Sequence, residues 1–178
     1  MNKTKHKPGL LWITGLSGSG KTTISKLVHK KLKKKYSNVV LLDGDNIRKK
    51  LKIDKNITFT NKYRVRIGKR YVKLCKTIIK KKRKYVIIAV MAILREVQNE
   101  YKKIKNYNDV YLDVPLSELT KRDPKDLYKK FRQKKIKNMV GLDIKFDKPQ
   151  KPSLYIKWKK NLRPIDISKK ILNLIENE

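Results

Sequence analysis

A single cysteine, Cys75, stands in the 178-residue chain, which excludes an internal disulfide and a multi-cysteine metal site. Its place in a helical pattern predicts a small buried apolar residue, and a reducing cytoplasm suits it. The two histidines, His6 and His29, belong to no metal-ligand constellation and are expected at the surface. No long Pro-, Gly- or Ser-rich stretch divides the chain, so one domain over residues 1–178 is expected. Long apolar runs are also missing. Lys3, Lys5 and Lys7 before Leu10-Leu11-Trp12-Ile13 imitate the start of a signal peptide, but the run stops after four residues. Nothing approaches the roughly 20 apolar residues that span a bilayer, so a soluble, unexported, cytoplasmic protein without membrane association is expected.

Acidic residues are scarce. Against 15 Asp and Glu stand 49 Lys and Arg, a formal charge of +34. Such a balance raises nucleic-acid binding. The basic residues occur along most of the chain, however, and their Lys bias with abundant Asn and Ile is what A+T-rich coding produces. Runs such as Lys33-Lys34-Lys35 and Lys80-Lys81-Lys82-Arg83-Lys84 read as solvated helix ends. A nucleic-acid partner is therefore not expected, although the field should draw polyanionic nucleotides in a salt-sensitive way.

What the chain does contain is Gly15-Leu16-Ser17-Gly18-Ser19-Gly20-Lys21-Thr22, directly after Leu10-Leu11-Trp12-Ile13. It fits the phosphate-binding P-loop G-x-x-x-x-G-K-[ST]. A buried strand delivers the chain to the loop, the glycines let backbone N–H groups turn onto phosphate oxygens, and a helix starting near Lys21 points its positive end at the same anion. Gly15, Ser17, Gly18, Ser19, Gly20, Lys21, Thr22 and Thr23 are thus the expected ATP contacts. Lys21 is expected to reach the β- and γ-phosphates, and the Thr22 hydroxyl to hold Mg²⁺.

Hydrophobic periodicity orders the rest. A helix is expected over 22 to about 35, a strand at Val39-Val40-Leu41-Leu42, a helix over about 61–82 and a strand at Tyr85-Val86-Ile87-Ile88-Ala89-Val90. A helix over about 96–105, a strand at Asp109-Val110-Tyr111-Leu112-Asp113-Val114 and a C-terminal helix over 166–175 follow. Strands apolar on both faces, alternating with helices, predict an α/β parallel sheet covered by helices. The P-loop, residues 43–46, residues 91–95 and residues 113–115 all fall at strand carboxyl ends, where such sheets bind ligands. The basic, broken stretch 122–147 is expected to be a mobile lid that excludes water from phosphoryl transfer.

Phosphoryl transfer needs a phosphate cradle, a metal and a carboxylate that orients the attacking hydroxyl. In Asp43-Gly44-Asp45-Asn46, the two carboxylates of an extended segment would face the same side. Asp45 is the candidate general base and, with Lys21, the candidate catalytic pair; Asp43 would support Mg²⁺ through water. Arg48, one turn on, suits an anionic acceptor.

The motifs Gly15 to Thr22, Leu42-Asp43-Gly44-Asp45-Asn46-Ile47-Arg48, Arg66-Ile67-Gly68, Val110-Tyr111-Leu112-Asp113-Val114-Pro115-Leu116, Arg122-Asp123-Pro124-Lys125-Asp126-Leu127-Tyr128 and Ile136-Lys137-Asn138 occur in an order that resembles the adenylylsulfate (APS) kinases. The resemblance covers nearly the whole chain. It implies the three-layer P-loop nucleoside triphosphate hydrolase/kinase fold, transfer of the ATP γ-phosphate to the ribose 3′-hydroxyl of a nucleotide, Asp45 as base, and Arg48, Arg64 or Arg66, and Lys137 around the acceptor. It also implies Arg122 near the ATP base, the lid after Asp123, and a possible homodimer.

Three departures fall on the acceptor side. The stretch Phe59-Thr60-Asn61-Lys62-Tyr63-Arg64-Val65-Arg66-Ile67-Gly68 lacks about one helical turn of the family's form, and Met91-Ala92-Ile93-Leu94-Arg95 replaces I-S-P-Y-R. Asn138-Met139-Val140-Gly141-Leu142-Asp143 loses the Phe that stacks on adenine. Phe59, Asn138 and Met139 complete the expected acceptor pocket. Methionine gives an adaptable apolar surface that a pyrimidine can use, which favours the branch acting on cytidine diphosphoramidate over a sulfate-assimilating APS kinase. A basic nucleic-acid-binding P-loop protein and, more weakly, a sugar kinase are the competing readings.

Overall fold

A computed structural model describes residues 3–51, 60–91 and 94–177, with the backbone alone for Asp45, Lys49 and Lys50. Strands β1 (Gly9–Gly15), β2 (Val39–Asp43), β3 (Tyr85–Ala89), β4 (Tyr107–Asp113) and β5 (Leu154–Lys157) form one sheet in the order β2-β3-β1-β4-β5. Every pairing is parallel. Helices α1 (Lys21–Lys35), α2 (Gly44–Lys50), α3 (Asn61–Lys82), α4 (Arg95–Tyr101), α5 (Leu116–Arg122), α6 (Leu127–Arg132) and α7 (Pro164–Glu176) connect and cover it.

The period-2 geometry of a strand builds the layers. On β1, Leu10 and Trp12 enter one cluster with Ile67, Tyr71 and Cys75 of α3 and Val97 and Tyr101 of α4. Leu11 and Ile13 enter a second cluster on the opposite face, with Ile24, Val28 and Leu32 of α1 and Ile171 and Ile175 of α7. Each aliphatic side chain so buried contributes roughly 1.5–3 kcal/mol. The result is the expected three-layer α/β fold. Among the described residues no helix is long and apolar enough to cross a membrane.

Most elements lie where periodicity placed them, and Cys75 is fully buried. Three differ. α4 stops at Tyr101 rather than near 105, because Asn106 turns into the left-handed region (φ 57°) and its carbonyl accepts the Leu10 N–H, starting β4 early. Strand β5 was not expected; Ile156 is its one buried side chain, too little for an alternating signal. Short helices α5 and α6 lie in or beside the stretch read as broken. His6 and His29 are half-buried rather than surface residues. His6 packs against the rings of Tyr36 and Tyr85, and burial lowers the His29 pKa.

The chain leaves β1 for a helix on one face of the sheet and leaves β3 for a helix on the other, so a crevice opens beyond the carboxyl ends of these neighbours. The P-loop stands there.

Candidate active site

The loop that follows β1 has two glycines in the left-handed region, Gly18 (φ 78°) and Gly20 (φ 91°), which a side chain would strain. They turn the backbone around the amino end of α1, whose first N–H groups have no intrahelical acceptor and face an anion site. Lys21 Nζ donates to the Leu16 carbonyl at 2.7 Å and lies 3.4 Å from Ser19 Oγ, so its charge sits over the loop. Ser19 is buried, Ser17 is half-buried, and Thr22 and Thr23 are exposed.

Thr22 Oγ1 donates to Asp43 Oδ2 at 2.9 Å, bringing together the start of α1 and the end of β2. Gly44, the next residue, lies close against neighbouring β3: a Cβ there would lie 3.1 Å from the Ala89 carbonyl. A hydroxyl and a carboxylate are hard oxygen donors and fit Mg²⁺, which keeps most of its shell for water and phosphate. Among the described residues no group of three or more His, Cys, Asp or Glu gathers that could hold a metal ion.

The extended arrangement expected for Asp43 and Asp45 is not found. α2 begins at Gly44, anchored by Ile47 in the core, so Asp45 is its second residue and strand alternation does not relate it to Asp43. Its side chain lies outside the described atoms, as do Phe59, Ala92 and Ile93 altogether.

On α3 the sequence left Arg64 and Arg66 as alternatives. Two residues on a helix point about 200° apart, and the structure separates them. Arg64 is half-buried and donates to the Asn138 carbonyl at 2.5 Å, whereas Arg66 is exposed over the Tyr63 ring at 5.4 Å. Burial, then the like charge of Arg48, pushes the Arg64 guanidinium below its usual range, with Asp143 opposing. Arg48 and Arg64 therefore lie near each other, beside the turn at residues 138–143. Asn138 (φ 60°) is positioned by Asp143, whose carboxylate accepts the N–H groups of Asn138 at 2.7 Å and Met139 at 2.5 Å. Asp143 was not assigned this task from sequence, where nothing marks an acid as the acceptor of N–H groups four and five residues earlier. Lys137 is exposed, and Met139, only 7 % exposed, packs with Leu16, Tyr128 and Val140.

Arg122 ends α5 and lines a cleft of about 170 Å³ together with Ser19, Gly20, Trp158 and Pro164. Trp158 was missed because β5 was. It follows that strand, and its N–H donates to the Asp113 carbonyl at 2.9 Å. A larger cleft of about 420 Å³, lined by Lys5, His6, Lys7 and Tyr85, opens at the amino ends of the strands and takes no part in this site. Residue Asp147, at the end of the stretch 122–147, is tied to α4: its carboxylate accepts the Arg95 N–H at 2.9 Å and its carbonyl accepts from Gln98 Nε2 at 2.7 Å.

Residues 7–157 match the family model of adenylylsulphate kinase. The chain belongs to that family. As an adenylylsulphate kinase family member it is an ATP-dependent kinase. It is 37% identical over 147 residues to a cytidine diphosphoramidate kinase of Campylobacter jejuni, covering 82% of this chain and 84% of the relative. To an adenylyl-sulfate kinase of Clostridium acetobutylicum it is 35% identical over 158 residues, covering 88% and 78%. A Mycobacterium tuberculosis APS kinase solved with AMPPNP and APS superposes with a TM-score of 0.82 at 28% identity, covering 99% of each chain.

Proposed function

We propose that the chain transfers the ATP γ-phosphate to the ribose 3′-hydroxyl of cytidine diphosphoramidate, a step of capsule phosphoramidate synthesis. The observation that carries the reading is the buried Met139 on the lid element gripped by Arg64 and Asp143. An aromatic stacking surface for adenine is replaced there by a flexible apolar wall. The similarity to the Campylobacter jejuni kinase supports the same choice.

In this reading Gly15, Ser17, Gly18, Ser19, Gly20 and Thr23 surround the ATP phosphates, and Arg122 lies beside the base. Lys21 balances charge on the β- and γ-phosphates. Thr22 and, through water, Asp43 would hold Mg²⁺, which would supply charge neutralisation at the β- and γ-phosphates. Asp45 accepts the proton of the 3′-hydroxyl as its oxygen bonds to the γ-phosphorus, and ADP leaves with the electrons of the broken bond. Arg48 and Arg64, with Lys137, bind the acceptor's anionic phosphoanhydride; Phe59 and Asn138 border its base. The segment 122–147 acts as the lid. Both arginines serve a bidentate phosphate contact that lysine does not reproduce.

Adenylylsulfate is the second reading, favoured by the 35% identity to an adenylyl-sulfate kinase. Equal concentrations of the two acceptors with ATP and Mg²⁺ decide between them. Faster turnover of cytidine diphosphoramidate is expected; equal or faster turnover of adenylylsulfate overturns the assignment.

A further inference from the structure

The tyrosine that ends the motif Arg122 to Tyr128 has no part in the chemistry above, yet it is the lid segment's direct link to the P-loop. Tyr128, on α6, is 1% exposed, and its hydroxyl donates to the Ser17 carbonyl at 3.0 Å across 111 residues of chain. Its own backbone is fixed from behind. Asp123 accepts the N–H groups of Tyr128 at 3.1 Å and Lys129 at 2.8 Å, capping α6. The outer face of the loop is packed by α5 and the start of this segment, since a Cβ on Gly18 would lie 3.6 Å from both Leu119 and Pro124. Leu16 shares a buried cluster with Tyr128 and Leu119.

A trans peptide is planar, with its C=O and N–H on opposite sides. Holding the Ser17 carbonyl toward α6 therefore turns the Gly18 N–H the other way, toward the phosphate side of the loop. Burial, with the charge of Asp123 next, pushes the Tyr128 pKa up to about 12, so the hydroxyl stays a donor throughout the neutral range.

We propose that Tyr128 is a positioning residue for the donor phosphates: its hydroxyl orients the Ser17–Gly18 peptide so that the P-loop presents a preformed N–H to the nucleotide. The proposal rests on the P-loop being the ATP site. It makes α6 a brace of the nucleotide cradle, so that movement of the lid segment and the shape of the cradle are coupled. A neutral hydrogen bond of this kind sets the scale of the effect at about 2- to 10-fold.

Tyr128→Phe keeps the ring and removes the donor. The dissociation constant for ADP and the KM for ATP should rise about 3- to 10-fold. Adenosine, read by competition against ATP, and the acceptor KM should stay within about twofold, because neither touches the Ser17–Gly18 peptide. Tyr101→Phe serves as the control for losing a buried hydroxyl; Tyr101 donates to Asp109 Oδ2 at 3.0 Å within the core and should leave all four values unchanged. Unaltered ADP affinity in Tyr128→Phe overturns the proposal, and so does an equal loss for ADP and adenosine or the same loss in Tyr101→Phe. If Tyr128→Phe fails to fold, Asp123→Asn, which loosens the α6 cap, should show the same phosphate-selective loss, and its absence overturns the proposal. Failure of the wild-type chain to bind ADP overturns the donor site itself and the proposal with it.

Discussion

Thr22 Oγ1 and Asp43 Oδ2 meet at 2.9 Å although 21 residues separate them, joining the last residue of the P-loop motif to the carboxyl end of the adjacent strand's neighbour, β2. Their meeting places two hard oxygen atoms side by side in the crevice, a pair of the kind that Mg²⁺ prefers.

Asp43→Asn should therefore raise the Mg²⁺ concentration needed for half-maximal activity by roughly 10- to 100-fold, the range seen when groups around a metal are lost. A Mg²⁺ titration of the purified variant checks it. An unchanged midpoint would remove Asp43 from the metal's surroundings.

Asp45→Asn should keep ATP binding and slow phosphoryl transfer by roughly 10²- to 10⁴-fold, the contribution of a positioned general base. Lys21→Ala should damage both binding and transfer. Calorimetric ATP affinity beside steady-state kcat separates the two, and a mildly slowed Asp45→Asn enzyme contradicts the base assignment.

Arg64→Lys should raise the acceptor KM by about tenfold or more, since a charged hydrogen-bond network is worth about 1.5–3 kcal/mol and a lysine lacks the planar fork. The KM for ATP should hold. Arg66→Lys, at an exposed position over the Tyr63 ring, should change neither constant appreciably.

The donor half of the site was legible because its rules are local. A P-loop is a contiguous run, and Val39–Asp43 reads as a strand whose end carries a carboxylate. The acceptor half is assembled from segments far apart in the chain. Whether Arg64 or Arg66 faces the lid depends on the rotation of α3, which its mixed pattern left open and packing decides. The pleat argument for Asp43 and Asp45 failed because it assumed an extended backbone where Ile47 draws the chain straight into a helix. Strand β5 and its successor Trp158 escaped notice for want of buried positions, and with them one wall of the Arg122 cleft.

Cys75 should resist thiol reagents in the native enzyme and react fully after unfolding. Burial pushes its pKa from 9.0 up to about 12, so the folded state holds the proton after the unfolded chain has lost it. The sign follows directly: the contribution to stability is complete below pH 9.0 and is lost as pH rises toward about 12. Thiol labelling across a urea series, at neutral pH and again above the unfolded pKa, checks both parts.

Gly68→Ala should destabilise the fold by about 1–3 kcal/mol, the usual cost of forcing a methyl into a packed interior. A Cβ at Gly68 would fall 2.4 Å from Val97 Cγ2, across the α3 to α4 contact. The urea midpoint measures it, and an unshifted midpoint means that α4 gives way freely.

Strand β1 is paired on both edges and covered on both faces, and all seven of its residues are buried. Amide protons there can exchange with solvent only when the whole fold opens. The phosphate cradle is thus mounted on the last part of the molecule to loosen.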